Sequence, residues 1–332
     1  MTEFLIQYRF KVPNKQLTEK HPVAYTDTRK GTEHTMERIF HYKIGPQDAG
    51  CSITAYLRAR GYSRRILTHL KQTERSILRN GLAIFTNQKL AVGDLLTITL
   101  IESEGSETIA PVPMPLSIVY EDADLLVIDK PADTPIHPSF DNHENTLANG
   151  LVSYYAKQGI PFTYRCINRL DRDTTGLLIV AKHMYSASLL SGMSMEHQIH
   201  REYLAIAAGR LPDSGTIDAP VARKEGSAIE RCVDFQKGEK AVTHFFLESF
   251  REGYSLVRLR LETGRTHQIR IHMRHIGHPL LGDFLYCTDF PEAQKKMQRQ
   301  ALHSYLLHFT HPITGEELRF TSPLPPDMRW MI

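Results

Sequence analysis

Cysteine is scarce in this chain and widely scattered. There are four, Cys51, Cys166, Cys232 and Cys287, and no CxxC pair. Such spacing supplies neither a zinc ribbon nor a disulfide framework, so reduced thiols are expected. Long apolar runs are lacking as well. No stretch approaches the ~18 apolar residues of a membrane span. Between Met1 and Pro13, Arg9 and Lys11 interrupt the place where the apolar core of a signal peptide would lie. These absences predict a soluble, cytoplasmic protein without a membrane partner. Net charge is nearly absent too, at +3, so the whole-chain balance names no partner. Internal repeats and low-complexity tracts are also missing. His267, His272, His275 and His278 lie close together, but no HExxH or third-ligand pattern accompanies them. A metal site is therefore not expected.

What remains is an ordinary globular composition. The chain has 332 residues, of which 41% are hydrophobic and 23% charged, enough for two domains with sizeable cores. Charge is distributed unevenly. Residues 51–80 carry seven basic side chains (Arg58, Arg60, Arg64, Arg65, Lys71, Arg75 and Arg79) against the single acid Glu74. Residues 102–133 are acid-rich, with Glu102, Glu104, Glu107, Glu121, Asp122 and Asp124. A local basic face is the electrostatic footprint of a nucleic-acid binder.

Four segments follow from the pattern. Residues 1–37 are polar and aperiodic and read as an extension. Residues 38–101 read as a small domain. Ile53, Leu57, Ile66, Leu67 and Leu70 recur at helical spacing, Ser63 is placed to cap the second helix, and turns at Asn80-Gly81 and Val92-Gly93-Asp94 bound short strands. Residues 102–114 form a linker stiffened by Pro111 and Pro113. Residues 115–332 form the second domain. A hairpin is expected at Leu116–Tyr120 and Leu125–Ile128, a buried strand at Leu177–Ala181, a helix at Tyr185–Met195, and strands at Tyr203–Ala208 and Ser255–Glu262. A helix follows with Ile269, Met273 and Ile276 on one face, and Thr266 is its predicted N-cap. Strands with isolated helices and no regular βαβ alternation predict an α+β fold with a largely antiparallel mixed sheet.

The most informative segment is Ile167-Asn168-Arg169-Leu170-Asp171-Arg172-Asp173-Thr174-Thr175-Gly176, set just before that buried strand. Arg169 and Asp171, two residues apart on an extended segment, would share a face. A carboxylate and a cation at the lip of a core strand build a core poorly and a site well. A solvated surface ion pair is the bland alternative.

That segment resembles the HRLDxxTSG motif of the RluA-type RNA pseudouridine synthases. Asp129-Lys130-Pro131-Ala132-Asp133 with His137-Pro138, Arg201-Glu202-Tyr203-Leu204-Ala205, and Gly264-Arg265-Thr266-His267-Gln268-Ile269-Arg270-Ile271-His272 resemble three further motifs of the family, in the family's order. The resemblance covers residues 115–325. It implies a pseudouridine synthase catalytic domain that isomerises uridines in structured rRNA or tRNA. The reaction breaks a glycosidic bond, rotates the base and rejoins it through carbon, so it requires no cofactor. Asp171 is implied as the essential carboxylate, Arg270 as its partner and Tyr203 as the surface for the flipped base. Asn168, Arg169, Arg201, Arg265 and His267 are implied as substrate-binding residues. Asn168 stands where the family usually has His, Thr175 where it has Ser, and Asp133 where Gly is common. His303, in Ala301-Leu302-His303, reads as structural. Residues 38–101 resemble an S4-type RNA-binding domain, with Arg64, Arg65, Lys71 and Arg75 as its RNA contacts. A monomer is the family expectation.

Overall fold

The computed structural model describes residues 35–106, 108–139 and 142–332. The extension predicted over 1–37 therefore lies almost wholly outside the described residues, as does Glu107. Met36 and Glu37, assigned to the extension by sequence, instead open the first strand.

The first part is a four-stranded sheet beside two helices. Its elements are β1 (Met36–Lys43), α1 (Ile53–Ala59), α2 (Arg64–Gln72), β2 (Ile77–Arg79), β3 (Leu82–Ala83) and β4 (Leu95–Glu102), with strand order β1-β4-β2-β3. Ser52 and Ser63 cap the helices, their hydroxyls accepting from the backbone N–H of Ala55 at 3.2 Å and Ile66 at 3.3 Å. The spaced apolar residues Ile53, Leu57, Ile66, Leu67 and Leu70 form one buried cluster with Leu96, Ile98 and Leu100 of β4. The basic side chains Arg64, Arg65 and Lys71 stay on the exposed side of α2.

The second part is built on nine strands. In chain order they and their helices are β5 (Ile118–Glu121), β6 (Leu125–Lys130), α3 (Leu147–Ala156), β7 (Thr175–Ala181), α4 (Met184–Met195), β8 (His200–Ala208) and β9 (Ser214–Asp218). A two-stranded ribbon, β10 (Val221–Arg223) and β11 (Arg231–Val233), comes next. Then follow β12 (Val242–Arg251), β13 (Tyr254–Leu261), α5 (Gln268–His275), α6 (Pro291–Lys296), β14 (Leu302–Thr310) and β15 (Glu317–Thr321). The sheet order is β5-β6-β7-β14-β8-β13-β12-β9, with β15 beside β14. Every pairing in it is antiparallel except β7 with β14. The architecture is the α+β, largely antiparallel one that the sequence predicts. Among the described residues no helix is long and apolar enough to cross a membrane.

The sheet separates two apolar layers, and the alternation of its central strands feeds both. Leu126, Ile128, Leu178 and Val180 face the layer shared with α3 and α5. Leu125, Val127, Leu177, Ile179 and Ala181 face the layer that holds Leu190 of α4. A strand buried on both faces must read as a continuous apolar run, as Leu177–Ala181 does.

Gly176 shows why this run begins where it does. It sits at φ +105°, where β7 and β14 come together. A Cβ there would lie 2.7 Å from the backbone nitrogen of Ser304 and closer still to its oxygen. Gly176→Ala is therefore expected to destabilise the fold by about 3 kcal/mol or more, through both the clash and the backbone conformation. Gly192, inside α4 with open space around it, is the control. Gly192→Ala should be neutral or stabilising by up to about 1 kcal/mol. Urea unfolding of the two variants checks both.

Candidate active site

The loop between α3 and β7 carries Asp171, and it is clamped by two cations. The Lys130 ammonium, fully buried at the end of β6, donates to the backbone carbonyls of Arg172 at 2.7 Å, Pro131 at 2.7 Å and Thr134 at 2.9 Å. Burial pushes that ammonium down to about 7, while the charges of Asp173 and Asp171 pull the other way. Arg299 donates to the next carbonyl, that of Asp173, at 3.1 Å, and is itself held by Asp327 at 2.7 and 2.9 Å. Bends at Ile167-Asn168 and a turn at Arg172-Asp173 bracket Arg169–Asp171, which carries neither. Its side chains alternate: Leu170 is buried while Arg169 and Asp171 both reach one cavity.

Helix α5 supplies the partner cation. Arg270 is only 3% exposed, and a guanidinium so placed needs anions around it. It donates through Nε and Nη2 to the two oxygens of Asp283, at 2.6 and 2.8 Å, as a bidentate pair. Its remaining Nη1 donates to Oδ2 of Asp171 at 3.1 Å. Burial works to lower the Arg270 pKa, but the hydrogen bonds and charge of Asp283, and then those of Asp171, raise it. Asp283 has no exposed surface and also accepts the backbone N–H of Leu285 at 3.0 Å and Tyr286 at 3.1 Å. Asp171 keeps about a quarter of its side chain exposed, at 27%. One carboxylate is thus a buried anchor and the other is presented to solvent.

His267 precedes α5 in the left-handed region, at φ +58°. It, and not Thr266, occupies the N-cap position, and its side chain caps nothing. The turn is secured by Gln268 instead. Its Oε1 accepts from Thr263 Oγ1 at 2.8 Å and the Arg265 N–H at 3.0 Å, and its Nε2 donates to the Val242 carbonyl at 3.0 Å. His267 Nδ1 lies 2.8 Å from the Tyr286 hydroxyl, which accepts the Arg231 N–H at 2.8 Å. The other ring nitrogen, Nε2, lies 3.9 Å from Asp171 Oδ2. Burial holds His267 below the usual histidine range.

The cavity in front of Asp171 has a volume of about 330 Å³. All eight residues predicted as catalytic or substrate-binding border it: Asn168, Arg169, Asp171, Arg201, Tyr203, Arg265, His267 and Arg270. Three of them are otherwise engaged. Asn168 is 3% exposed and its Oδ1 accepts the Ile179 N–H at 2.8 Å, so its amide ties the loop to β7. Arg265 pairs with Glu239 and donates to the Lys240 carbonyl at 3.1 Å. Arg270 is spent on the two aspartates. Tyr203, on β8, is buried, and burial raises its hydroxyl pKa. Of the four residues predicted on the other domain, Arg64 and Arg65 line a shallow depression with Thr68, His69 and Gln72. Lys71 lies outside that depression, and Arg75 lies beyond the end of α2 at φ +56°.

Sequence reasoning missed Asp283, Tyr286 and Arg299, and it quoted Lys130 without assigning it a task. It read His303 as structural, and the ring lies buried with Nδ1 2.9 Å from Thr175 Oγ1.

A solvent-facing carboxylate fixed beside an aromatic ring and several cations is the equipment of an enzyme that works on a nucleotide base. The comparisons with known proteins agree. The family model described as RNA pseudouridylate synthase matches residues 124–275. An uncharacterized RNA pseudouridine synthase of Bacillus subtilis, YjbO, is 41% identical over 85% of this chain and 98% of its own length. Ribosomal large subunit pseudouridine synthase D of Haemophilus influenzae is 39% identical over 80% of this chain and 85% of its own. Among solved structures, human RNA pseudouridylate synthase domain containing 1 superposes with a TM-score of 0.53 at 27% identity, covering 63% of this chain and 83% of that one. The chain belongs to the RNA pseudouridine synthase family, in its RluA-type branch, and is an isomerase acting on RNA.

Removing the anchor tests the electrostatic account. Asp283→Ala leaves Arg270 buried with Asp171 as its remaining carboxylate, so a loss of about 3–5 kcal/mol in unfolding free energy is expected. Urea titration of the variant, followed by circular dichroism, measures it.

Proposed function

We propose that Asp171 is the catalytic carboxylate and that this chain modifies uridines of large-subunit ribosomal RNA in the cytoplasm. The observation that carries the reading is the Arg270 to Asp171 contact at 3.1 Å beside the 330 Å³ cavity. Arg270 holds the carboxylate in place and oriented. The free oxygen edge of Asp171 is then available to attack the sugar C1′ or the base, or to remove a ribose proton. Tyr203 offers its ring to the uracil once the nucleotide has left its stack. Arg169 and Arg201 border the cavity, have no ion-pair partner among the described residues, and suit the flanking phosphates. Asn168, Arg265 and His267 position the substrate through the cavity wall, Asn168 by way of its bond to β7. The chemistry is internal to the substrate, so no cofactor enters the scheme. The likeness to an enzyme named for the large ribosomal subunit supports that RNA over tRNA. Exposed cations on a capped helix support an S4-like role for residues 38–101, with Arg64 and Arg65 as its main phosphate contacts and Lys71 and Arg75 at its margin. The protein acts as a monomer in this scheme.

A non-catalytic RNA binder is the alternative, and the buried Asp283–Arg270–Asp171 chain speaks against it. Binding alone gains nothing from a carboxylate aimed into the cavity, where it repels phosphate. Asp171→Asn is expected to lower turnover by about a thousandfold or more while RNA affinity stays within about threefold. Tritium release from labelled uridine in transcribed 23S-type RNA, with filter binding alongside, measures both. Activity within tenfold of wild type sinks the assignment.

A further inference from the structure

Helix α4 belongs to both parts of the molecule at once. Tyr185, at its start, is buried in the apolar cluster of the N-terminal part. Its ring stacks on Tyr62 at 3.9 Å and meets Phe40 edge-on at 5.1 Å, and its hydroxyl donates to the Arg60 carbonyl at 2.8 Å. One turn on, the Ser188 hydroxyl donates to the Gly61 carbonyl at 2.9 Å, and Leu189 fills the space a Gly61 side chain would need. At the other end, Ser194 and the following His197 line the cavity of Asp171. The two contacts, Tyr185 and Ser194, are about 14 Å apart along the helix axis.

Charged groups lock the same junction. Arg38 of β1 binds both oxygens of Asp124, at 2.8 and 3.1 Å, and Asp124 is buried. His183, the N-cap of α4, contacts Asp124 through Nε2 at 2.8 Å, while its Nδ1 accepts the Ser186 N–H at 3.1 Å. Glu102, at the end of β4, accepts from Met184 N–H and from Arg165, both at 2.6 Å. Helix α2 starts directly after Gly61-Tyr62-Ser63, the loop docked on α4. Its exposed arginines are therefore held at a set distance from the cavity.

We propose that α4 is a rigid spacer that fixes the α2 face relative to the uridine pocket, so that one structured RNA is read at both places and its uridine is selected by separation. The occupant is RNA with a phosphate-rich element at a fixed offset from an unpaired uridine. The proposal rests on the reading of α2 as an RNA-binding face. Two binding elements on a rigid frame raise the effective concentration of the second contact only for substrates of matching span. That gives selectivity without base-specific contacts.

The test uses the full-length protein and RNA from a strain lacking its gene, mapped for pseudouridine by carbodiimide treatment and reverse transcription. The combined variant Arg38→Gln/Glu102→Gln/Tyr185→Phe/Ser188→Ala removes or weakens each polar lock with little loss of core volume; Tyr185→Ala removes the stack. The combined variant carries the test if Tyr185→Ala does not fold. The loosened protein is expected to modify the wild-type sites about tenfold more slowly and to add new sites. Its salt dependence of RNA binding should be unchanged, because the α2 charges remain. The same sites at the same rates would overturn the spacer. Arg64→Ala/Arg65→Ala separates the two readings. If it alters neither rates nor salt dependence, the RNA-binding reading of α2 falls and the spacer with it. If it alters them while the loosened variants behave as wild type, only the spacer falls.

Discussion

The site depends on one buried guanidinium held between two unequal carboxylates. Arg270 cannot be taken out of water unless anions and acceptors satisfy it. Asp283 does most of that, with a bidentate contact and two backbone N–H groups to balance its own charge. One guanidinium nitrogen is left, and it points at Asp171. The cost of burying charge is thereby converted into orientation of a carboxylate that itself stays wet. The same loop that contributes Asp283 contributes Tyr286, whose hydroxyl holds the His267 ring beside Asp171.

A carboxylate is only as well placed as the backbone that carries it. The loop of Asp171 has little secondary structure, so its carbonyls need donors from elsewhere. Lys130 and Arg299 supply them from two distant parts of the chain. Directly after the loop, Gly176 lets β7 approach β14 closely enough to form the one parallel contact of the sheet. The central strands, buried on both faces, make this platform stiff.

Much of this was legible in the residues. The Asp171 and Arg270 segments are contiguous in sequence, so their chemistry shows in a single line of letters. Strands β7 and β13 were legible because one is a pure apolar run and the other alternates. Asp283, Lys130 and Arg299 were not, because their tasks exist only through partners far along the chain, and nothing local marks a lone Asp after Gly282. Helix α3 escaped because it is buried on nearly all sides, including Asn149 and Gly150, and shows no amphipathic period. Strand β1 escaped because Glu37, Arg38 and Lys43 break up its apolar signal. Thr266 fits the composition of a cap, yet the chain turns one residue later, at His267, because Gln268 ties the turn internally.

The most direct measurement is the single-turnover rate of Arg270→Lys on RNA the wild type modifies. Lysine keeps the charge but lacks the fork that reaches two carboxylates at once. The account predicts a folded protein that still binds RNA and reacts about a hundredfold or more slowly, because Asp171 has lost its orientation. A rate within threefold of wild type would contradict it: the positive charge alone would then suffice, and the guanidinium bridge would not be what sets the carboxylate.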